Sequence, residues 1–178
     1  MRILGVGNEQ EISNEVLKQL STKNEVEQVA EVTDPDQLSN IDVLYLDFKQ
    51  DGLDIKVEDL VDQIDQSTNM SFKIVFLSTA GLNDEVNLSW VKVKDIHEYI
   101  LQMRYAIKLI DETERPYVIL EPTELDDSKQ EVVMFGEGNT AKTSKVSKSG
   151  VGEVIQKSIL NDEFDNQALI ITNKEEHE

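Results

Sequence analysis

Residues 1–20 read MRILGVGNEQEISNEVLKQL. Ile3, Leu4 and Val6 make a short apolar run, Gly5 and Gly7 supply permissive backbone, and Ile12, Val16, Leu17 and Leu20 then recur at helical spacing. A buried strand that passes through a glycine turn into an amphipathic helix is the way a dinucleotide-binding βαβ unit opens, with a pyrophosphate held against the helix start. The full fingerprint has three glycines. Counted from Gly5 as G-x-G-x-x-G, the third position is Gln10; counted from Gly7 as G-x-x-G-x-x-G, the second and third are Gln10 and Ser13. The pattern is kept in placement and altered in content.

Outward from that stretch, strands and helices alternate. Val26–Val32 reads as a second strand, and Thr33 or Asp34 ahead of Pro35 as the cap of a single helical turn through Leu38. Ile41–Phe48, IDVLYLDF, is continuously apolar in its middle, as a strand buried on both faces must be. Val57, Leu60, Val61 and Ile64 mark a helix, and Phe72–Ser78 a central strand that runs into Thr79-Ala80-Gly81. A long helix is predicted over Val93–Thr113, a buried strand over Tyr117–Leu120, and a hairpin of Glu131–Phe135 with Thr140–Val146 across Gly136–Asn139. Ser149 can cap a helix through Leu160, and Ala168–Thr172 is a last buried strand. This alternation predicts an α/β fold, a doubly wound parallel sheet, with ligands at the carboxyl ends of its strands. Residues 1–173 are expected to form one domain, followed by a charged tail at 174–178.

The 178 residues hold 17 basic and 36 acidic side chains, a net charge of −19. Such a surface repels nucleic-acid backbones and anionic lipid, so neither nucleic acid nor membrane is expected as a partner. No apolar run reaches the roughly 18 residues of a spanning helix, and the N-terminus lacks a signal-peptide layout. With no cysteine and only His97 and His177, no metal site is expected, and the cytoplasm is the expected compartment. Glu124, Asp126 and Asp127 read as a solvated acidic loop rather than a cation site.

Five blocks in order, MRILGVGN, EVTDPDQLSNIDVLYLDF, KIVFLSTAG, RYAIKLIDETERPYVILEPTEL and KVSKSGVGEVIQKSIL, resemble the atypical short-chain dehydrogenase/reductase proteins of the NmrA-like NAD(P)-binding group over nearly the whole chain. The resemblance implies a Rossmann-like fold and NAD or NADP as cofactor. It implies cofactor contacts at Gly5, Gly7, Asn8, Ile12, Ser78 and Gly81, with Ser78 also as the serine of the active-site strand. The chain departs from the group at several points. One strand–helix unit is missing ahead of the D-P-x-x-L turn, so the remaining strand is expected to move in beside the first. The altered glycine loop weakens or removes cofactor binding. In a Tyr-x-x-x-Lys pair ending on Lys108, Arg104 stands at the tyrosine position and Tyr105 lies three residues away, close enough on a helix to neighbour Lys108. Glu121 stands where the group has arginine before the proline.

The catalytic candidates are therefore Ser78, Tyr105 and Lys108. A carboxylate of Glu9 or Glu11 is expected to sit where the pyrophosphate would, since a helix start attracts an anion at about 0.3–1 kcal/mol. Trp90 and His97 read as packing or loop cover beside the site. The function expected is a weakly or non-catalytic module that binds a nucleotide, another small molecule or a protein partner. The alternative is an NAD(P)H-dependent oxidoreductase acting on a small carbonyl, quinone or flavin.

Overall fold

The computed structural model describes residues 1–7, 9–49 and 52–175. Asn8, one of the expected cofactor contacts, lies outside the described residues. The strands are β1 (Arg2–Val6), β2 (Glu25–Val29), β3 (Val43–Asp47), β4 (Lys73–Leu77), β5 (Tyr117–Pro122), β6 (Glu124–Asp126), β7 (Val132–Gly136), β8 (Lys145–Ser147) and β9 (Gln167–Asn173). The α-helices are α1 (Glu11–Leu20), α2 (Leu53–Gln66), α3 (Ile96–Glu112) and α4 (Lys148–Leu160), and one 3-10 turn spans Pro35–Leu38.

Seven strands form one sheet in the order β2-β1-β3-β4-β5-β9-β7. All neighbours pair in parallel except β7, which runs antiparallel to β9. The chain moves outward from β1 to β2 and returns on the other side of β1 as β3, so the order reverses between β1 and β3. That reversal point is where such sheets open a crevice at the strand ends. The return from β2 to β3 holds only the 3-10 turn, which is the expected missing strand–helix unit, and β2 sits directly beside β1.

Because β3, β4 and β5 are covered on both faces, their apolar residues divide between two layers. Leu44, Leu46, Ile74, Phe76 and Ile119 pack with α2 and α3. Val43, Tyr45, Val75, Leu77, Val118 and Leu120 pack with α1 and α4. The period of two along each strand sends neighbours to opposite layers.

Local chemistry sets the element ends. Asp34 caps the 3-10 turn by accepting from the Asp36 N–H at 2.9 Å, Pro35 follows, and the Gln37 side chain accepts from the Asp34 N–H at 3.1 Å. The second strand stops at Val29 rather than Val32 because its only partner, β1, ends at Val6, and the Gly7 N–H closes the ladder on the Val29 carbonyl. The long helix starts at Ile96, not Val93, since the Asp95 carboxylate accepts from the His97 and Glu98 N–H groups. The last helix starts at Lys148 with Ser147 as its cap, and Ser149 falls inside the first turn.

The expected hairpin does not form. Val132–Gly136 pairs with β9 at the open side of the main sheet, where Val132 and Met134 pack on the layer of α1 and α4. Residues 140–144 are polar apart from Ala141 and make no strand, while Lys145–Ser147 pairs in parallel with β6. A strand edge distant in sequence offered more buried surface than the adjacent polar segment.

Candidate functional site

Gly7 leaves β1 with φ of +82°, a conformation that L side chains rarely adopt. A Cβ there would strike the Asp47 carbonyl oxygen and the Phe48 ring, so the turn lies flat against the end of β3. The chain then enters α1 through Gln10, whose backbone N–H donates to Asp47 Oδ2 at 2.9 Å and whose side-chain amide donates to Asp47 Oδ1 at 2.8 Å. Ser13 Oγ donates to Asp47 Oδ2 at 2.6 Å and lies 2.7 Å from Tyr45 Oη. With Ser13 donating to the carboxylate, the phenol is the donor to Ser13, giving a relay from Tyr45 through Ser13 to Asp47. All four residues are buried.

Burial pushes the Asp47 carboxyl above its usual range, opposed by the hydrogen bonds from Ser13 and Gln10 and by the charge of Lys49. Burial also raises the Tyr45 phenol, with the Asp47 charge acting in the same direction. The carboxylate expected at the helix start is therefore present, but it is Asp47 rather than Glu9 or Glu11. Glu9 accepts from the Lys49 N–H at 2.8 Å, pairs with Lys56 at 2.9 Å and lines the larger cavity beside the helix start. Glu11 is exposed on the first turn of α1. An acid that lies beside the glycine loop in space, but 37 residues from Gln10 in sequence, is out of reach of any local motif.

Beyond Gln10 a cavity of about 430 Å³ opens at the carboxyl ends of β3, β4 and β5. Its walls include Lys49, Ser78, Thr79, Trp90, Lys92 and Tyr99, with Thr123 and Glu124 where β5 passes into β6. The Ser78 hydroxyl is 4 % exposed as a residue and has no hydrogen-bond partner among the described residues. Trp90 covers the cavity from the segment between β4 and α3. Surrounding walls desolvate Lys49 and lower its pKa, against the pull of Asp47. A larger cavity of about 880 Å³ lies between α1, α4 and residues 125–129, and Gln10, Lys49 and Leu125 line both.

The other expected site residues fall elsewhere. Tyr105 is 42 % exposed on α3, and Lys108 is an exposed partner of Glu112 at 3.5 Å. Neither lines the cavity with Ser78, so the expected grouping of the three is corrected by the helix geometry: Tyr99, nearly two turns earlier, is the tyrosine of α3 that faces the cleft. Gly5 pairs within β1, between Gln28 and Tyr45. Ile12 is buried in the α1–α4 layer and borders the larger cavity. Gly81, with φ of +94°, abuts Leu88 and the Val86 carbonyl rather than the cleft. His97 lines a separate shallow cavity. Among the described residues, no group of three or more His, Asp or Glu side chains is arranged to hold a metal, and no helix is long and apolar enough to cross a membrane.

A pyrophosphate seated at Gln10 would have to displace the Gln10 side chain and would meet the buried Asp47 carboxylate there. These residues do not fit that group in that place.

Residues 13–162 match the family model described as NAD(P)H-binding. Among solved structures, the chain is similar to a short-chain dehydrogenase/reductase (wide type) from Veillonella parvula in complex with NADP, at 17 % identity and a TM-score of 0.76, covering 99 % of this chain and 96 % of that one. It is also similar to a Rossmann-fold NAD(P)-binding family protein from Shigella flexneri, at 16 % identity and a TM-score of 0.75, covering 99 % and 97 %. The oxidoreductase ylbE from Lactococcus lactis gives 18 % identity and a TM-score of 0.72, covering 98 % and 92 %. A search of curated proteins finds no match.

Proposed function

Since the chain belongs to the NAD(P)H-binding family of Rossmann-fold proteins, we propose that residues 1–173 act as one binding domain, weakly or non-catalytic, that holds a nucleotide, another small molecule or a protein group at the strand-end cleft. The observation that carries this reading is the outward placement of Tyr105 and Lys108, which leaves Ser78 in the cleft without the acid–base pair of the extended family. A general acid must come within hydrogen-bond reach of the atom it protonates, and neither of these residues borders the cavity. A cytoplasmic location is part of the same reading.

A second reading, an NAD(P)H-dependent oxidoreductase acting on a small carbonyl, quinone or flavin, is favoured by the unpartnered Ser78 hydroxyl and by Lys49 beside it. Both groups could hold a polar substrate oxygen. The two readings part in a turnover assay. NADH or NADPH is followed by absorbance with a quinone, a flavin or a small aldehyde, and the binding-module reading expects oxidation no faster than without protein. Oxidation that depends on protein and is lost in Ser78→Ala supports the oxidoreductase instead.

A further inference from the structure

We propose that Asp47 sets the ligand specificity of this fold: its carboxylate holds the anion seat at the start of α1, so the cleft takes a compact ligand that carries no pyrophosphate. The inference deepens the binding-module reading and rests on it. Helix starts attract anions because their first N–H groups are open and the helix dipole points its positive end there. In this chain the first of those N–H groups, that of Gln10, is taken from within. Asp47 accepts the Gln10 N–H, the Gln10 side-chain amide and the Ser13 hydroxyl, three donors converging on one carboxylate. Ser13 is in turn bonded to the Tyr45 phenol, which fixes the direction of its hydroxyl.

Two neighbouring features bear on the same ligand choice. Glu9 adds a second carboxylate within the turn, held by the Lys49 N–H and by Lys56. Gln10, Lys49 and Leu125 line both the strand-end cavity and the larger one beside α1 and α4. A dinucleotide that ran from one to the other would pass Gln10 and Lys49; a molecule confined to about 430 Å³ would not. Inside that volume, the Ser78 hydroxyl is a buried group without a partner among the described residues, and Trp90 and Tyr99 line the same cavity. These suit a small ring-bearing molecule with one hydrogen-bonding oxygen or nitrogen.

The test is a titration of NADPH, and separately of NADH, by calorimetry into the wild type, Asp47→Asn and the double variant Gln10→Gly/Asp47→Ala, each checked for folding by circular dichroism. The wild type is expected to show no saturation below millimolar dinucleotide. The double variant should bind at least tenfold more tightly, and inorganic pyrophosphate should compete with NADPH for it. Should the double variant fail to fold, Asp47→Asn, which keeps the shape and removes the charge, is expected to gain severalfold. Micromolar binding by the wild type overturns the proposal, as does a folded variant that gains nothing. Turnover is read in parallel. Tight wild-type binding without turnover overturns the role of Asp47 alone, whereas tight binding with turnover overturns the binding-module reading as well.

Discussion

Glu121 is 5 % exposed at the end of β5, and its pKa rises from 4.5 to about 8, first because burial disfavours the charge and then because Glu85 and Glu137 add negative potential. The folded state therefore holds this proton more tightly than the unfolded chain does. The stability that follows is fully present below pH 4.5 and is lost as pH rises through about 8. At about 1.4 kcal/mol per unit, the loss is on the order of 3–5 kcal/mol. Glu121→Gln should remove this dependence and be more stable than the wild type above pH 8, as urea melts on either side of that value will measure. Ser78→Ala should leave stability equal or up to about 1 kcal/mol higher, because it deletes a buried hydroxyl that has no partner. Tyr105→Phe and Lys108→Ala should each change stability by less than about 0.5 kcal/mol, since both side chains meet solvent and the Lys108–Glu112 pair is exposed.

The β1–α1 turn depends on elements far apart in sequence. Gly7→Ala must adopt a left-handed conformation and displace both the Asp47 carbonyl and the Phe48 ring, so a loss of about 2 kcal/mol or more is expected in denaturant melts. Gly150→Ala should likewise force Val132 away, loosening α4 from β7. These contacts also explain what the sequence made legible. Runs such as Val43–Leu46 and Ile74–Leu77 are apolar without a break, and a segment buried on both faces has few alternatives to a central parallel strand. The cap at Asp34 was readable because all its parts are neighbours in the chain. The hairpin was not, since strand pairing is decided by whichever edge buries more, and β9 lies more than thirty residues beyond β7. Asp47 is not legible for a similar reason: a charged residue closing an apolar strand reads as the start of a loop, and only the fold brings Gln10 and Ser13 to it. Tyr99 and Tyr105 both fall on α3, and the helical period places Tyr99 on the buried stripe with Met103, Ala106 and Ile110 while Tyr105 falls off it.

Across the whole molecule, the 36 acidic against 17 basic side chains make self-repulsion a property of the compact state. Added salt shortens the screening length from about 30 Å at 0.01 M to about 10 Å at 0.1 M. The melting temperature should rise over that range, measured by calorimetry. A fall would mean that the ion pairs, such as Lys73 with Asp162 and Asp165, outweigh the repulsion.

The short return from β2 to β3 leaves β2 bonded on one side only, as the outer strand of the sheet. A strand with a free row of N–H and C=O groups is a template for another chain, and a sheet cut short by one unit exposes a strand that would otherwise be interior. Here that strand reads EVEQV, with Glu25 and Glu27 facing solvent. Glu25 is also paired with Arg2 at 2.8 Å. In a parallel, in-register edge pairing these like charges would meet their own copies, which disfavours polymerisation through β2. Glu25→Thr/Glu27→Thr should fold normally and self-associate at concentrations where the parent chain stays monodisperse by light scattering.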